Sequence, residues 1–115
     1  RGSKFGTNYD NKSVSIVINC LVYKNIRPNI MIDCSHGNSC KDHTKQHIPF
    51  EYTIKNIQDG IDNVIGFMLE SNLEEGKQKL IFGEKNKLLW GKSITDACIS
   101  LDETEHLLNK LYNVL

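Results

Sequence analysis

His36, Glu70 and Asp96 bring one imidazole and two carboxylates to the ends of ordered stretches. His36 follows the apolar run Ile30-Met31-Ile32 through Asp33-Cys34-Ser35, and Gly37-Asn38-Ser39 comes next. Glu70 closes a second apolar run, Val64 to Leu69, and Ser71-Asn72 comes next. Two buried strands that each end in polar groups place those groups on one edge of a parallel sheet. Ligands in parallel α/β folds sit at that carboxyl edge. Asp96 precedes the last helix and can join them. Such a mixed N/O donor set suits a divalent metal. The plain alternative is a polar turn whose His36 satisfies local backbone groups, with Glu70 and Asp96 as ordinary loop acids.

A rival cluster is local: Cys34, His36, Cys40, His43 and His47 crowd into one segment. Cys-His density of this kind can hold zinc, but the interval from Cys40 to His43 leaves no finger-sized loop. Arg1 opens a segment rich in Gly, Ser, Thr and Asn, as a solvated charge or as a clamp for an anion.

The elements that must position these groups follow from periodicity. From Lys12 to Asn25, Val14, Ile16, Ile18, Cys20 and Val22 alternate as in a strand. Val14, Val17, Ile18 and Leu21 also fit one helix face, and the length before a Pro-containing break favours a helix. Asn29 to Ser35 reads as a strand. Pro49 suits a first helical turn, Phe50, Ile54, Ile57 and Ile61 keep a helical period, and Gly60 suits the end. Asn63 to Leu69 is the second strand, so strand, helix and strand form a βαβ unit. Leu73 to Leu89 reads as a long polar loop. Asp102 and Glu105 resemble a capping box, and Leu107, Leu108, Leu111, Tyr112 and Leu115 give the closing helix its apolar face.

The 115 residues suit one domain, and 39% hydrophobic with 24% charged residues predicts a folded chain. Fourteen basic and fourteen acidic residues balance, so no nucleic-acid footprint is expected. No apolar run approaches the roughly 18 residues of a membrane span, and no signal peptide is expected. A cytoplasmic protein with free thiols at Cys20, Cys34, Cys40 and Cys98 is the expectation. The chain opens on Arg1-Gly2 without an initiator methionine, so a processed or partial chain is expected.

Three blocks in order carry a resemblance: Met31 to Ser39, Gly66 to Gln78, and Gly91 to Cys98, with Arg1-Gly2 and Asn8-Tyr9 before them. Together they resemble the carboxyl-terminal part of class I 3-deoxy-D-arabino-heptulosonate 7-phosphate (DAHP) synthase. That family's fold is a (β/α)8 barrel, which needs about 250 residues. The resemblance therefore implies residues 1–115 as the carboxyl-terminal portion of one barrel domain, with its amino-terminal part missing. The α/β piece would hold about the last two βα units and the helix before them. Lys12 to Asn25 would be the sixth helix, Asn29 to Ser35 the seventh strand, and Asn63 to Leu69 the eighth.

The family joins phosphoenolpyruvate to erythrose 4-phosphate, the first step of the shikimate pathway. The resemblance implies His36, Glu70 and Asp96 as ligands of a divalent metal, with manganese, iron and cobalt the suitable ions. It implies Arg1 and His36 beside phosphoenolpyruvate, His36 then being catalytic as well. Lys92 would be electrostatic or merely solvent-facing. The family's fourth ligand, a cysteine, lies upstream, and neither Cys34 nor Cys98 matches it. The Lys-Pro-Arg-Thr substrate segment is also absent, so the piece alone is expected to be inactive. A homo-oligomer and feedback by an aromatic amino acid are further implications. The alternatives are a non-catalytic metal-binding or interaction remnant, and a zinc module on Cys34, Cys40, His43 and His47.

Overall fold

Asp10 starts the first regular element. In the computed structural model, which describes residues 1–115, its carboxylate accepts the Ser13 amide at 3.0 Å and the Ser13 hydroxyl at 2.7 Å. The helix it caps, α1, spans Asn11–Tyr23. It ends with Asn25 at φ 55°, whose amide reaches the Val22 carbonyl while the Ile26 amide reaches Leu21. These paired bonds close the last turn, with Asn in the left-handed position usually held by Gly. The helical reading of this stretch therefore holds.

Hydrogen bonds from Ser13 hold the Asp10 carboxyl below the ordinary 3.8. A depressed folded value gives stability that is present above the unfolded pKa and lost as pH falls through the folded one. Between about pH 5 and about pH 2, the parent protein is therefore expected to lose stability relative to Asp10→Asn, whose amide caps without titrating. Thermal melts of the two across that range check this.

β1, Ile30–Asp33, and β2, Val64–Met68, pair in parallel, with Met31 opposite Gly66, Ile32 opposite Phe67 and Asp33 opposite Met68. α2, His47–Gln58, connects them as the βαβ pattern requires. It begins two residues before Pro49 and ends at Gly60, φ 98°, with the Gly60 amide on Ile57 and the Ile61 amide on Asn56. Phe50 and Ile54 face inward, and the Phe50 ring lies 4.4 Å from that of Phe67. Val14, Ile32, Cys34, Phe50, Ile54, Ile99 and Leu107 make the core between the sheet and the helices.

The long polar loop is not structureless. β3, Glu74–Lys77, pairs in parallel with β4, Lys92–Ser93. The Gly76 and Cys98 amides exchange bonds with each other's carbonyls, at 2.8 and 3.1 Å. The Gln78 amide then ties the excursion shut: its Nε2 donates to the Leu89 and Lys92 carbonyls, and its Oε1 accepts the Leu89 amide, all at 2.8 Å. Glu74-Glu75-Gly76-Lys77 has no apolar alternation, so backbone pairing alone makes it a strand.

α3, Leu101–Tyr112, is capped by Ser100, whose hydroxyl accepts the Glu103 amide at 3.1 Å. The expected pair Asp102 and Glu105 is thus displaced by Ser100 and Glu103, two residues earlier. The apolar face is also narrower than expected. Leu107 is fully buried and Leu111 and Val114 pack beside the core, whereas Leu108, Tyr112 and Leu115 are exposed. No helix is long and apolar enough to cross a membrane.

Candidate metal centre

The ends of β1 and β2 turn apart, and the polar residues occupy the gap. After Asp33 the chain bends through Ser35, and His36 sits at φ 52°, its carbonyl accepting the Lys41 amide at 2.7 Å. This left-handed backbone brings the imidazole back over the strand end. Its Nδ1 lies 2.9 Å from Asp33 Oδ2 and 3.2 Å from Oδ1, placed to donate an Nδ1–H to that carboxylate. Nε2 faces Glu70 Oε1 at 3.4 Å. A carboxylate on one ring nitrogen fixes the tautomer that can ligate through the other.

The other Glu70 oxygen accepts the Ser35 hydroxyl. Asp96 arrives from the far side. Ile99 pairs with Ser71 and its amide reaches the Glu70 carbonyl at 2.9 Å, which folds the Gly91–Cys98 segment back over β2. One donor atom each from His36, Glu70 and Asp96 then lie within 4.8 Å of one another. Ligands about 2.1 Å from a shared tetrahedral ion stand about 3.4 Å from one another, so closure draws the widest pair together by about an ångström or more. His36 and Glu70 are partly buried and Asp96 is exposed.

These three residues share a cavity of about 860 Å³ with Arg1, Lys4, Lys41 and Lys77. None of those four cations forms an ion pair with a carboxylate, so their charge is available to an anion. The loop carrying Arg1 is docked by one backbone bond and one bond to a side chain. The Gly37 amide donates to the Arg1 carbonyl at 3.0 Å, and the Asn8 amide to Asn38 Oδ1 at 2.9 Å.

The zinc cluster does not form. His36, Glu70 and Asp96 are the only three-residue group with metal-binding spacing. Cys34 is buried with its thiol toward the Ile32 carbonyl, His43 pairs with Glu75 at 3.1 Å, and His47 Nδ1 meets the Thr44 carbonyl at 2.9 Å. A tight turn with Cys40 and Lys41 both at positive φ sends these side chains in different directions. Lys92 does not line the cavity. Its side chain lies along β3, with Nζ 3.7 Å from where a Cβ on Gly76 would sit.

Residues 1–109 match the family described as DAHP synthetase I. The chain belongs to that family. It is 42% identical over 113 residues to the tyrosine-inhibited phospho-2-dehydro-3-deoxyheptonate aldolase of Schizosaccharomyces pombe, covering 96% of this chain and 30% of that protein. It is 38% identical over 115 residues to the Tyr-sensitive enzyme of Escherichia coli K12, covering all of this chain and 32% of that one. The solved phospho-2-dehydro-3-deoxyheptonate aldolase of Francisella tularensis SCHU S4 superposes with a TM-score of 0.91 at 37% identity, over 99% of this chain and 32% of that chain. The chain thus spans under a third of the length of these relatives.

In this DAHP synthetase I chain, sequence reasoning left two groups of the site without a role. Asp33 ends an apolar strand three residues before His36, a spacing that could have suggested its contact. Gln46 lies in a uniformly polar stretch that gives no signal. Cys34, in the same motif as His36, is inert by burial: desolvation first, then the Asp33 charge, push its thiol up to about 12. Under native conditions iodoacetamide is expected to label the exposed Cys20 and Cys40 and to spare Cys34, as peptide mass mapping would show.

Proposed function

We propose that residues 1–115 are the carboxyl-terminal portion of the single (β/α)8 barrel of a DAHP synthase. The whole enzyme condenses phosphoenolpyruvate with erythrose 4-phosphate, giving 3-deoxy-D-arabino-heptulosonate 7-phosphate and phosphate. The observation that carries this reading is the convergence of His36, Glu70 and Asp96 in a cavity lined by unpaired cations. The family membership and the relatives' names support it.

The surface of the chain supports a larger barrel. The β1–β2 sheet has only two strands, and Met31 and Ile65 are 62% and 64% exposed. Parallel sheets normally have both faces covered. The accessible area is 8021 Å², against about 6,400 Å² for a compact 13.1 kDa monomer. The radius of gyration is 16.4 Å against an expected value of about 13 Å.

In this reading His36 Nε2, Glu70 and Asp96 hold a divalent cation, with manganese, iron and cobalt all suited to the donor set. When bound, the ion supplies Lewis-acid polarisation of the aldehyde carbonyl of erythrose 4-phosphate. Asp33 keeps the His36 proton on Nδ1. Arg1 offers a planar fork to the carboxylate or phosphate of phosphoenolpyruvate, and His36 lies beside the same substrate. In the reaction a C–C bond forms between the methylene carbon of phosphoenolpyruvate and the aldehyde carbon, whose oxygen takes up a proton. Water adds to the adjacent carbon that bears the phosphate, the bond from that carbon to the phosphate oxygen breaks, and a ketone and free phosphate result. Feedback by an aromatic amino acid and assembly into a homo-oligomer complete the reading. Relatives named tyrosine-inhibited and Trp-sensitive support the first.

The test is a chimera in which this chain replaces the matching third of the Escherichia coli enzyme. The chimera is expected to consume phosphoenolpyruvate only when erythrose 4-phosphate and manganese are present, and the isolated 115-residue chain to show no turnover. A folded chimera that binds manganese yet releases no phosphate would overturn the proposal.

A further inference from the structure

We propose that Gln46 is a positioning residue for Glu70, its side-chain amide clamping the Glu70 backbone at the point where the carboxylate meets the cation. The inference rests on the metal reading above. Gln46 occupies the N-cap of α2, a place that favours Ser, Thr, Asp or Asn, yet its side chain makes no cap bond. It is fully buried instead, and both ends of its amide are committed elsewhere. Oε1 accepts the Glu70 amide at 2.8 Å, and Nε2 donates to the Glu70 carbonyl at 3.0 Å.

The reason lies in how the strands separate. The β1–β2 ladder ends with the Cys34 amide on the Met68 carbonyl at 2.9 Å. Beyond it, β1 bends away to build the Ser35–His36 turn, and two residues later Glu70 has lost its strand partner. Gln46 replaces that partner with a side-chain amide that offers the same donor and acceptor as a peptide group. The Ile99 amide shares the Glu70 carbonyl, but Gln46 is the only partner of the Glu70 amide. Gln46 is itself held by α2, anchored through the fully buried Phe50. A ligand fixed to a packed helix keeps its geometry better than one carried on a free loop.

A side chain that only stapled two segments together would affect folding and leave metal affinity alone. The complete protein carrying this chain therefore needs two variants. Gln46→Asn keeps the amide but shortens its reach, and Gln46→Met keeps the length but cannot hydrogen-bond. Manganese binding, measured by electron paramagnetic resonance without substrate, is expected to weaken roughly ten- to hundredfold in both. Glu70→Gln serves as the reference and is expected to weaken it at least as much. If Glu70→Gln binds manganese like the parent, the metal reading fails and takes this inference with it. If Glu70→Gln is impaired while both Gln46 variants bind within about twofold of the parent, the clamp alone is wrong. Hydrogen exchange of the Glu70 amide in the metal-free parent needs no variant. Protection is expected there, and exchange at the rate of a free loop amide overturns the clamp even if neither variant folds.

Discussion

Replacing His36 with Ala in the complete protein is expected to weaken manganese binding by more than about a hundredfold, the upper end for a residue that merely supports a ligand. Turnover should fall by about a thousandfold or more. The second figure follows from Lewis-acid stabilisation worth several kcal/mol, at 1.36 kcal/mol per factor of ten, taking about 4 kcal/mol. The geometry explains why no neighbour can substitute. Nε2 is the one nitrogen aimed at Glu70, Nδ1 is spent on Asp33, and the nearest other imidazole of the segment, His43, is turned to Glu75. His43→Ala and His47→Ala should therefore leave manganese affinity unchanged, which separates this site from the zinc cluster that the local spacing also suggested. Manganese titration of the three variants decides the matter. A His36→Ala protein that binds the ion like its parent would remove His36 from the metal site.

What the sequence made legible was whatever is encoded locally. Ile30 to Ile32 and Val64 to Leu69 announce strands by composition, and their polar ends locate His36 and Glu70. Pro49, the period of Phe50 and Ile54, and Gly60 delimit α2 closely. The capping error at α3 is of the same local kind: Ser100 to Glu103 and Asp102 to Glu105 have equal spacing. Only the hydroxyl actually seated on the Glu103 amide distinguishes them. β3 and the Gln46 clamp were hidden for a different reason. Glu74-Glu75-Gly76-Lys77 becomes a strand because of what Lys92 and Ser93 offer it, and Gln46 matters because of a residue 24 positions away. Polar side chains that act through distant backbone carry no periodicity to read.

The same dependence on distant backbone makes Gly37 the most sensitive position outside the donor set. A Cβ built on Gly37 would lie 2.4 Å from the Ser3 nitrogen and 2.6 Å from the Gly2 carbonyl carbon. A Cβ built on Gly2, at φ 62°, would in turn lie 2.7 Å from the Gly37 carbonyl carbon. These are backbone atoms, so no rotamer change relieves the clash, and Gly37→Ala must push residues 1–3 off the turn. The Gly37 amide would lose the Arg1 carbonyl, and the guanidinium would move with it. Overpacking of this kind costs about 1–3 kcal/mol of stability. A displacement of about 1 Å at a substrate-holding group can cost about a hundredfold in rate. Since Arg1 is proposed to hold phosphoenolpyruvate, kcat/KM for that substrate should fall roughly ten- to hundredfold, mostly through KM. His36 stays anchored by its own carbonyl on the Lys41 amide and by Asp33, so manganese affinity should barely change. Steady-state kinetics beside a manganese titration separate the two effects. An unchanged KM in a folded Gly37→Ala enzyme would mean that the Arg1 loop is not what seats the substrate.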